Sequence, residues 1–238
     1  MPTPKSRRLF VTGTDTGIGK TVLSLLLMRH FFDTDQNPFY IKLIQTGCRD
    51  VYDVDSDARF IYENVPVLRG KDPAESVPYC FANPKAPWFA ARDEGRSIDL
   101  KVLIDSVAQH ASTDRMLILE GAGGLFVPID RTTLMIDLIS MLDAAPILAA
   151  RAGLGTINHT LLSIEAMKLR GIDPLGVVLI DSGDFPATPG MVEENIQAIE
   201  AFSGIRPVGV IKRIDSFSNP GKECFEPISK LFGRCNVE

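Results

Sequence analysis

The chain has 238 residues, 45% hydrophobic and 23% charged, with a formal net charge of −5; that suits a single α/β domain over residues 1–238 with a sizeable core. The acidic balance excludes wholesale binding of nucleic acid, so a phosphate ligand would need a locally basic site. Cys48, Cys80, Cys224 and Cys235 show no Cys-x-x-Cys pair, which argues against zinc or a disulfide scaffold, and no apolar run approaches the roughly 20 residues that cross a bilayer.

In chain order, Lys5–Arg8 is basic, and the apolar run Leu9-Phe10-Val11 is too short for a signal peptide, so a soluble, cytoplasmic protein without a membrane partner is expected. The same run reads as a buried strand, and Val22–Phe32, apolar on nearly every face, as a buried helix. Between them stands Gly13-Thr14-Asp15-Thr16-Gly17-Ile18-Gly19-Lys20-Thr21. Strand, glycine-rich turn and helix are the context of a phosphate-binding loop. Glycines let successive backbone N–H groups turn toward one anion, and the helix start adds unpaired donors and the positive end of its dipole. Lys20 can reach the β- and γ-phosphates and the Thr21 hydroxyl can hold Mg²⁺. Thr14 stands where the usual pattern has its first Gly, so this loop is one residue longer than usual.

Pro38–Ile44 reads as a second strand ending in Gln45-Thr46-Gly47, with Lys42 near its C-terminal end. That is the edge where parallel sheets bind ligands, and a buried Lys needs an anionic partner. Arg49–Asp57 reads as an acidic loop, Ala58–Glu63 as a short helix and Glu63–Pro78 as irregular. A Pro-punctuated loop over Phe81–Pro87 precedes helices at Trp88–Arg92 and Asp99–Ala111. Met116–Leu119 is an apolar strand followed at once by Glu120-Gly121-Ala122-Gly123-Gly124. An acid at a buried strand end beside glycines suits Mg²⁺, which takes one or two carboxylates plus phosphate oxygens. Leu134–Leu142 reads as helix and Pro146–Ala150 as strand; a Gly153–His159 opening leads a helix to about Gly171. Strands at Leu175–Ile180 and Pro207–Lys212 and helices at Gly190–Phe202 and Pro227–Phe232 complete the alternation. It implies an α/β fold of P-loop NTPase type, a mostly parallel sheet with helices on both faces.

These parts give a nucleoside triphosphate site without saying what receives the phosphoryl group. Phe10–Thr21 (FVTGTDTGIGKT), Lys42–Gly47 (KLIQTG), Asp57, Glu94-Gly95, Glu120–Gly124 (EGAGG) and Leu154–His159 (LGTINH) together resemble the dethiobiotin synthetases, in the same order and with similar spacing from residue 9 to about residue 181. The resemblance implies a biotin-pathway ligase that uses ATP and Mg²⁺ to join CO₂ to 7,8-diaminopelargonic acid and close a cyclic urea. It implies Lys42 as the catalytic lysine, Lys20 as the phosphate-loop lysine, and Thr16 as a residue contacting substrate and phosphate. Thr46 matches a substrate-contacting hydroxyl residue, and Thr21, Asp57 and Glu120 match the Mg²⁺ shell. Gly17, Ile18, Gly19, Lys20, Thr21 and Val22, with Glu120, Gly121, Ala122 and Gly123, match nucleotide-binding stretches. Leu154, Gly155, Thr156, Ile157 and Asn158 match a segment that a partner subunit supplies to the substrate's carboxylate tail, so a homodimer is expected.

Three departures from the family pattern stand out. Lys42-Leu43-Ile44 replaces Lys-Pro-Val, Ala86-Pro87-Trp88 replaces Ser-Pro-His, and Lys212-Arg213-Ile214 aligns with a purine-contacting stretch without its usual Pro. Asp181 stands where several members carry an adenine-reading Asn; an ionised Asp accepts hydrogen bonds and donates none, so weaker adenine preference is expected. The main rival is a partition- or targeting-type ATPase switch, but Asp15 occupies the place of that group's signature lysine. An amidating synthase of the cobyrinate type would need a glutaminase domain for which this chain has no room, and spacing alone leaves a kinase of another metabolite open.

Overall fold

The computed structural model describes residues 7–111, 115–181 and 187–232. Lys5, Ser6 and Cys235 of the features above lie outside them. The main sheet has six strands, all parallel, in the order β2-β5-β1-β6-β7-β8. Its strands are β1 (Arg8–Gly13), β2 (Phe39–Lys42), β5 (Leu117–Glu120), β6 (Ala145–Arg151), β7 (Gly176–Ile180) and β8 (Gly209–Ile211). All are short, and all but the edge strand β8 are buried on both faces, as helices packed on each side of a parallel sheet require.

The two-residue period of the strands divides the core. On one face Leu9, Val11, Ile118, Ile147 and Val178 pack with helix α1 (Lys20–Asp33), helix α2 (Asp57–Asn64) and helix α8 (Glu226–Phe232). On the other, Phe10, Leu117, Leu119, Leu148 and Leu179 pack with α3 (Pro87–Asp93), α4 (Leu100–His110), α5 (Met135–Met141), α6 (Thr156–Lys168) and α7 (Pro189–Ser203). α1 buries Leu23, Leu25, Leu26, Leu27, Met28 and Phe31, which explains a helix with almost no polar stripe.

The second predicted strand is corrected. It breaks at Leu43: β2 stops at Lys42, and Ile44–Thr46 forms β3, which pairs in parallel with β4 (Tyr79–Phe81) in a separate two-stranded sheet. The cause is the loss of a ladder partner. β5 ends at Glu120 and turns away into glycines, so the chain beyond Lys42 bends and bonds elsewhere. The Tyr79–Phe81 strand, three residues long, is too short for its pattern to reveal it. The stretch before it, read as irregular, holds single 3₁₀ turns at Pro66–Leu68 and Ala74–Ser76.

β1 is central, with β5 on one side and β6 on the other. The chain first builds toward β2 and then returns to build toward β8, so the carboxyl end of β1 is a topological switch point, where open α/β sheets form their binding crevice. The glycine-rich loop starts there.

Candidate active site

The loop between β1 and α1 is shaped by two left-handed glycines, Gly17 (φ 69°) and Gly19 (φ 96°). At Gly17 a Cβ would meet nothing within 4 Å, whereas at Gly19 it would lie 2.8 Å from Ile180 Cγ2. Gly19 is therefore fixed twice, by its dihedral and by the close approach of β7. It caps α1, and no side chain satisfies the first amides of that helix, which leaves them to an anion. Ile18 turns inward and is buried; its part in the loop is to anchor it under Gly13.

Lys20 follows as the first residue of α1. Its ammonium donates to the Asp15 carbonyl at 2.7 Å, folding the loop back over it. Burial, and then the like charge of Lys42, lower its pKa from 10.5 to about 8.

The strand register brings the remaining groups together. Lys42 is the direct neighbour of Glu120 across the β2–β5 ladder, so both side chains emerge on the α1 face. Lys42 Nζ lies 2.9 Å from Glu120 Oε1 and 2.6 Å from Asp57 Oδ2, and donates to the Gly121 carbonyl at 3.1 Å. Burial opposes its charge, but Asp57 and Glu120 outweigh burial and hold it above the ordinary lysine value. Asp57 opens α2, whose cap is Ser56; the Gln45 side-chain oxygen accepts from the Asp57 backbone N–H at 3.1 Å and pins the helix start to β3. Burial also opposes ionisation of Asp57, and Lys42 and the Thr21 hydroxyl reverse this, lowering its pKa.

Thr21 tests whether a divalent cation fits. Its single hydroxyl lies 2.8 Å from Asp57 Oδ1 and 2.9 Å from Glu120 Oε1. One proton serves two carboxylate oxygens. Three hard oxygens drawn together, with the shared Thr21 proton and the Lys42 ammonium on Glu120 Oε1 between them, are a donor set suited to Mg²⁺, which prefers few carboxylates and completes its shell with phosphate oxygens and water. The residues fit the ion.

A cavity of about 440 Å³ gathers most of the expected residues. Thr16, Gly17, Gly19, Lys20, Thr21 and Val22 form one wall, and Lys42, Thr46, Asp57 and Glu120 the other, with Ala122 and Gly123 at the end. Gly121 lies behind it and contributes its carbonyl. A second cavity of about 450 Å³ shares Gly17, Gly19, Val22 and Phe217 and is otherwise lined by Asp181, Lys212, Arg213 and Ile214, with Ile180 and Ile211. Leu154–Asn158 does not line the Lys42 cavity of its own chain. Leu154, Gly155 and Thr156 bound a small recess against Thr14, Asp15 and Ile18, and Leu154 is 82% exposed.

Sequence reasoning missed Gln45, Phe60 and Phe217 in the walls, and Ser24 and Tyr40 beneath them. Phe217 reaches both cavities from the tail, stacked edge-on against Phe60; nothing local in the sequence signals that. Tyr40 carries a signal in hindsight, two residues before Lys42 on the same face of the strand.

A family model described as an AAA domain matches residues 7–221. The ATP-dependent dethiobiotin synthetase BioD of Paramagnetospirillum magneticum is 41% identical over 206 residues, spanning 87% of this chain and 88% of that protein. The chain belongs to the dethiobiotin synthetase family. A dethiobiotin synthetase from Methanococcus vannielii is 32% identical over 94% of this chain and 98% of its own length. The bifunctional biotin biosynthesis protein BioCD of Bordetella avium is 42% identical over 211 residues, which are 40% of that longer protein. Among solved structures, the MinD cell division protein of Aquifex aeolicus covers 94% of each chain with TM-score 0.54 at 15% identity. A plasmid partition protein from Borrelia burgdorferi reaches TM-score 0.53 at 11% identity, covering 94% of this chain and 96% of its own. These neighbours share the P-loop fold alone, and dethiobiotin synthetase membership decides against the partition-type reading.

Proposed function

We propose that the chain is an ATP- and Mg²⁺-dependent ligase that converts 7,8-diaminopelargonic acid and CO₂ to dethiobiotin, releasing ADP and phosphate. One observation carries the reading beyond family membership: a single cavity holds the phosphate-loop cation Lys20 and, on the facing wall, Lys42 and Thr46. Two anionic reactants can meet there only if cations offset their repulsion.

One amine of the substrate adds to CO₂ and loses a proton, giving a carbamate. A carbamate oxygen attacks the γ-phosphorus, and the bond to the bridging oxygen of ADP breaks. The second amine attacks the carbonyl carbon of this carbamic–phosphoric anhydride, phosphate leaves, a proton is lost and the urea ring closes. Lys42 and Lys20 hold carbamate and γ-phosphate together, with Thr16 contacting both and Thr46 the substrate. Thr21, Asp57 and Glu120 would hold Mg²⁺, which when bound neutralises charge on the phosphates. The loop amides and Gly123 cradle the phosphates. The second cavity takes the base, beside Asp181 and the Lys212–Ile214 stretch.

Residues 1–238 act as one domain in the cytoplasm, and as a homodimer. Leu162 on α6 is 62% exposed, and Leu154 and Leu169 at its two ends are 82% and 84% exposed, apolar side chains that a second copy would cover. Across such a two-fold, Leu154–Asn158 would enter the partner's site to hold the substrate carboxylate, which accounts for its distance from the Lys42 cavity of its own chain. Among the described residues no helix is long and apolar enough to cross a membrane.

The test is a coupled assay. The purified protein should release ADP only when diaminopelargonate and bicarbonate are both present. ADP release that ignores both and responds to DNA or lipid vesicles would overturn the assignment.

A further inference from the structure

Glu120 is fully buried and accepts four hydrogen bonds, two on each oxygen. Thr21 shares its one proton between Oε1 and Asp57 Oδ1, so Oε1 is only partly engaged, whereas Oε2 has a separate donor for each of its two lone-pair sites; the division between the oxygens is sharp. Oε1 receives Thr21 at 2.9 Å and Lys42 at 2.9 Å, both of which line the cavity. Oε2 receives the Ser24 hydroxyl at 2.7 Å and the Tyr40 hydroxyl at 3.0 Å, both from residues with no exposed surface.

The arrangement follows from the two elements that meet there. Ser24 lies three residues beyond Thr21 on α1, on the same helix face. Tyr40 lies two residues before Lys42 on β2, on the same strand face. Each element therefore delivers one residue to the cavity side of the carboxylate and one to the core side. Ser24 donates from α1 and Tyr40 from β2, so two separate elements hold Oε2 against rotation of the carboxyl group.

We propose that Ser24 and Tyr40 are positioning residues that commit Glu120 Oε2 to the protein and present Oε1 to the divalent cation of the bound nucleotide. The proposal rests on the reading of Glu120 as part of the Mg²⁺ shell. Partners behind a ligating group fix its orientation, and their loss typically lowers metal affinity by about 10–100-fold. Neither residue lines the cavity, so the effect should appear in metal binding before anything else.

The experiment measures Mn²⁺ binding by electron paramagnetic resonance to the full chain with a non-hydrolysable ATP analogue, for Tyr40→Phe, Ser24→Ala and Glu120→Gln. Mg²⁺ dependence of turnover and thermal unfolding are followed in parallel. Tyr40→Phe keeps the ring in the core and removes one donor. Each hydroxyl variant should raise the Mn²⁺ dissociation constant about tenfold or more, shift the Mg²⁺ activation curve equally, and leave kcat at saturating Mg²⁺ within about threefold of the parent. A lowered melting temperature with unchanged metal affinity in both variants would overturn the proposal and make the pair purely structural. Unchanged metal affinity in Glu120→Gln would instead overturn the metal-shell reading beneath it.

Discussion

Replacing Lys42 by Ala tests the site at its most constrained point. The ammonium sits between Asp57 Oδ2 at 2.6 Å and Glu120 Oε1 at 2.9 Å, with side-chain exposures of 6% for Lys42, 26% for Asp57 and 0% for Glu120. Removing one partner of a pair this buried leaves an uncompensated charge, at a cost of about 3–5 kcal/mol. The lower end applies here. Asp57 is a quarter exposed, and Glu120 keeps Ser24, Tyr40 and Thr21 as donors. Denaturant unfolding of the nucleotide-free protein should therefore show a loss of about 3 kcal/mol. Catalysis suffers for a separate reason. Loss of one preorganised donor at a centre of developing negative charge costs on the order of 10²–10³-fold in kcat, and Lys42 would serve two anions at once. Turnover in the coupled ADP assay should fall by at least that factor, while nucleotide binding, which the proposed reading assigns to Lys20, Thr21 and the loop amides, stays within about tenfold. Turnover within about threefold of the parent at saturating substrates would refute the role of Lys42. Turnover lost together with all nucleotide binding would show that Lys42 serves the nucleotide rather than the second reactant.

Lys20 titrates at about 8 in the folded chain, against 10.5 when unperturbed. Between those values the unfolded chain holds more protons, so the nucleotide-free protein should gain stability from this group as pH rises through that window; Lys20→Met should lack this increment. Nucleotide affinity should move the other way, weakening above about pH 8 as the ammonium loses its proton, as equilibrium titrations at pH 7 and 9.5 would show. Asp181 offers acceptors only, which match the N1–H and amino donors of guanine better than adenine's N1 acceptor. A panel of ATP, GTP and ITP should show weak discrimination, and Asp181→Asn should raise the ATP-to-GTP ratio of kcat/KM about tenfold or more; strict ATP selectivity in the parent would count against this. Leu162→Glu on the exposed face of α6 should yield a monomer by light scattering, with KM for diaminopelargonate raised well above tenfold and the nucleotide constant little changed. A dimer that persists would place the interface elsewhere.

Much of this was legible in the sequence because it is local. The glycine-rich loop, its strand and its helix are contiguous, and backbone freedom, dipole and cation all follow from residues within one turn of each other. Short continuous apolar runs marked the strands of the main sheet, and Glu120 could be placed at a strand end from the glycines beside it. Lys42 stood out as a cation in an apolar strand, but the residues alone left it open between a buried, partnered lysine and one snorkelling to the surface. The family resemblance supplied roles for Asp57 and Leu154–Asn158 that no local pattern carries.

What only the tertiary structure decided is which strands are neighbours. Because β5 inserts between β1 and β2, Lys42 and Glu120 stand side by side in register, with Tyr40 and Ser24 stacked behind them. Their positions are 78 residues apart along the chain, and a shift of one residue would send one of the two to the opposite face. The same ladder ends at Glu120 and forces the bend at Leu43, which turns β3 away and pins Asp57 through Gln45. Side-chain periodicity is written in each strand; the order in which strands pair is settled by the packing of the whole core.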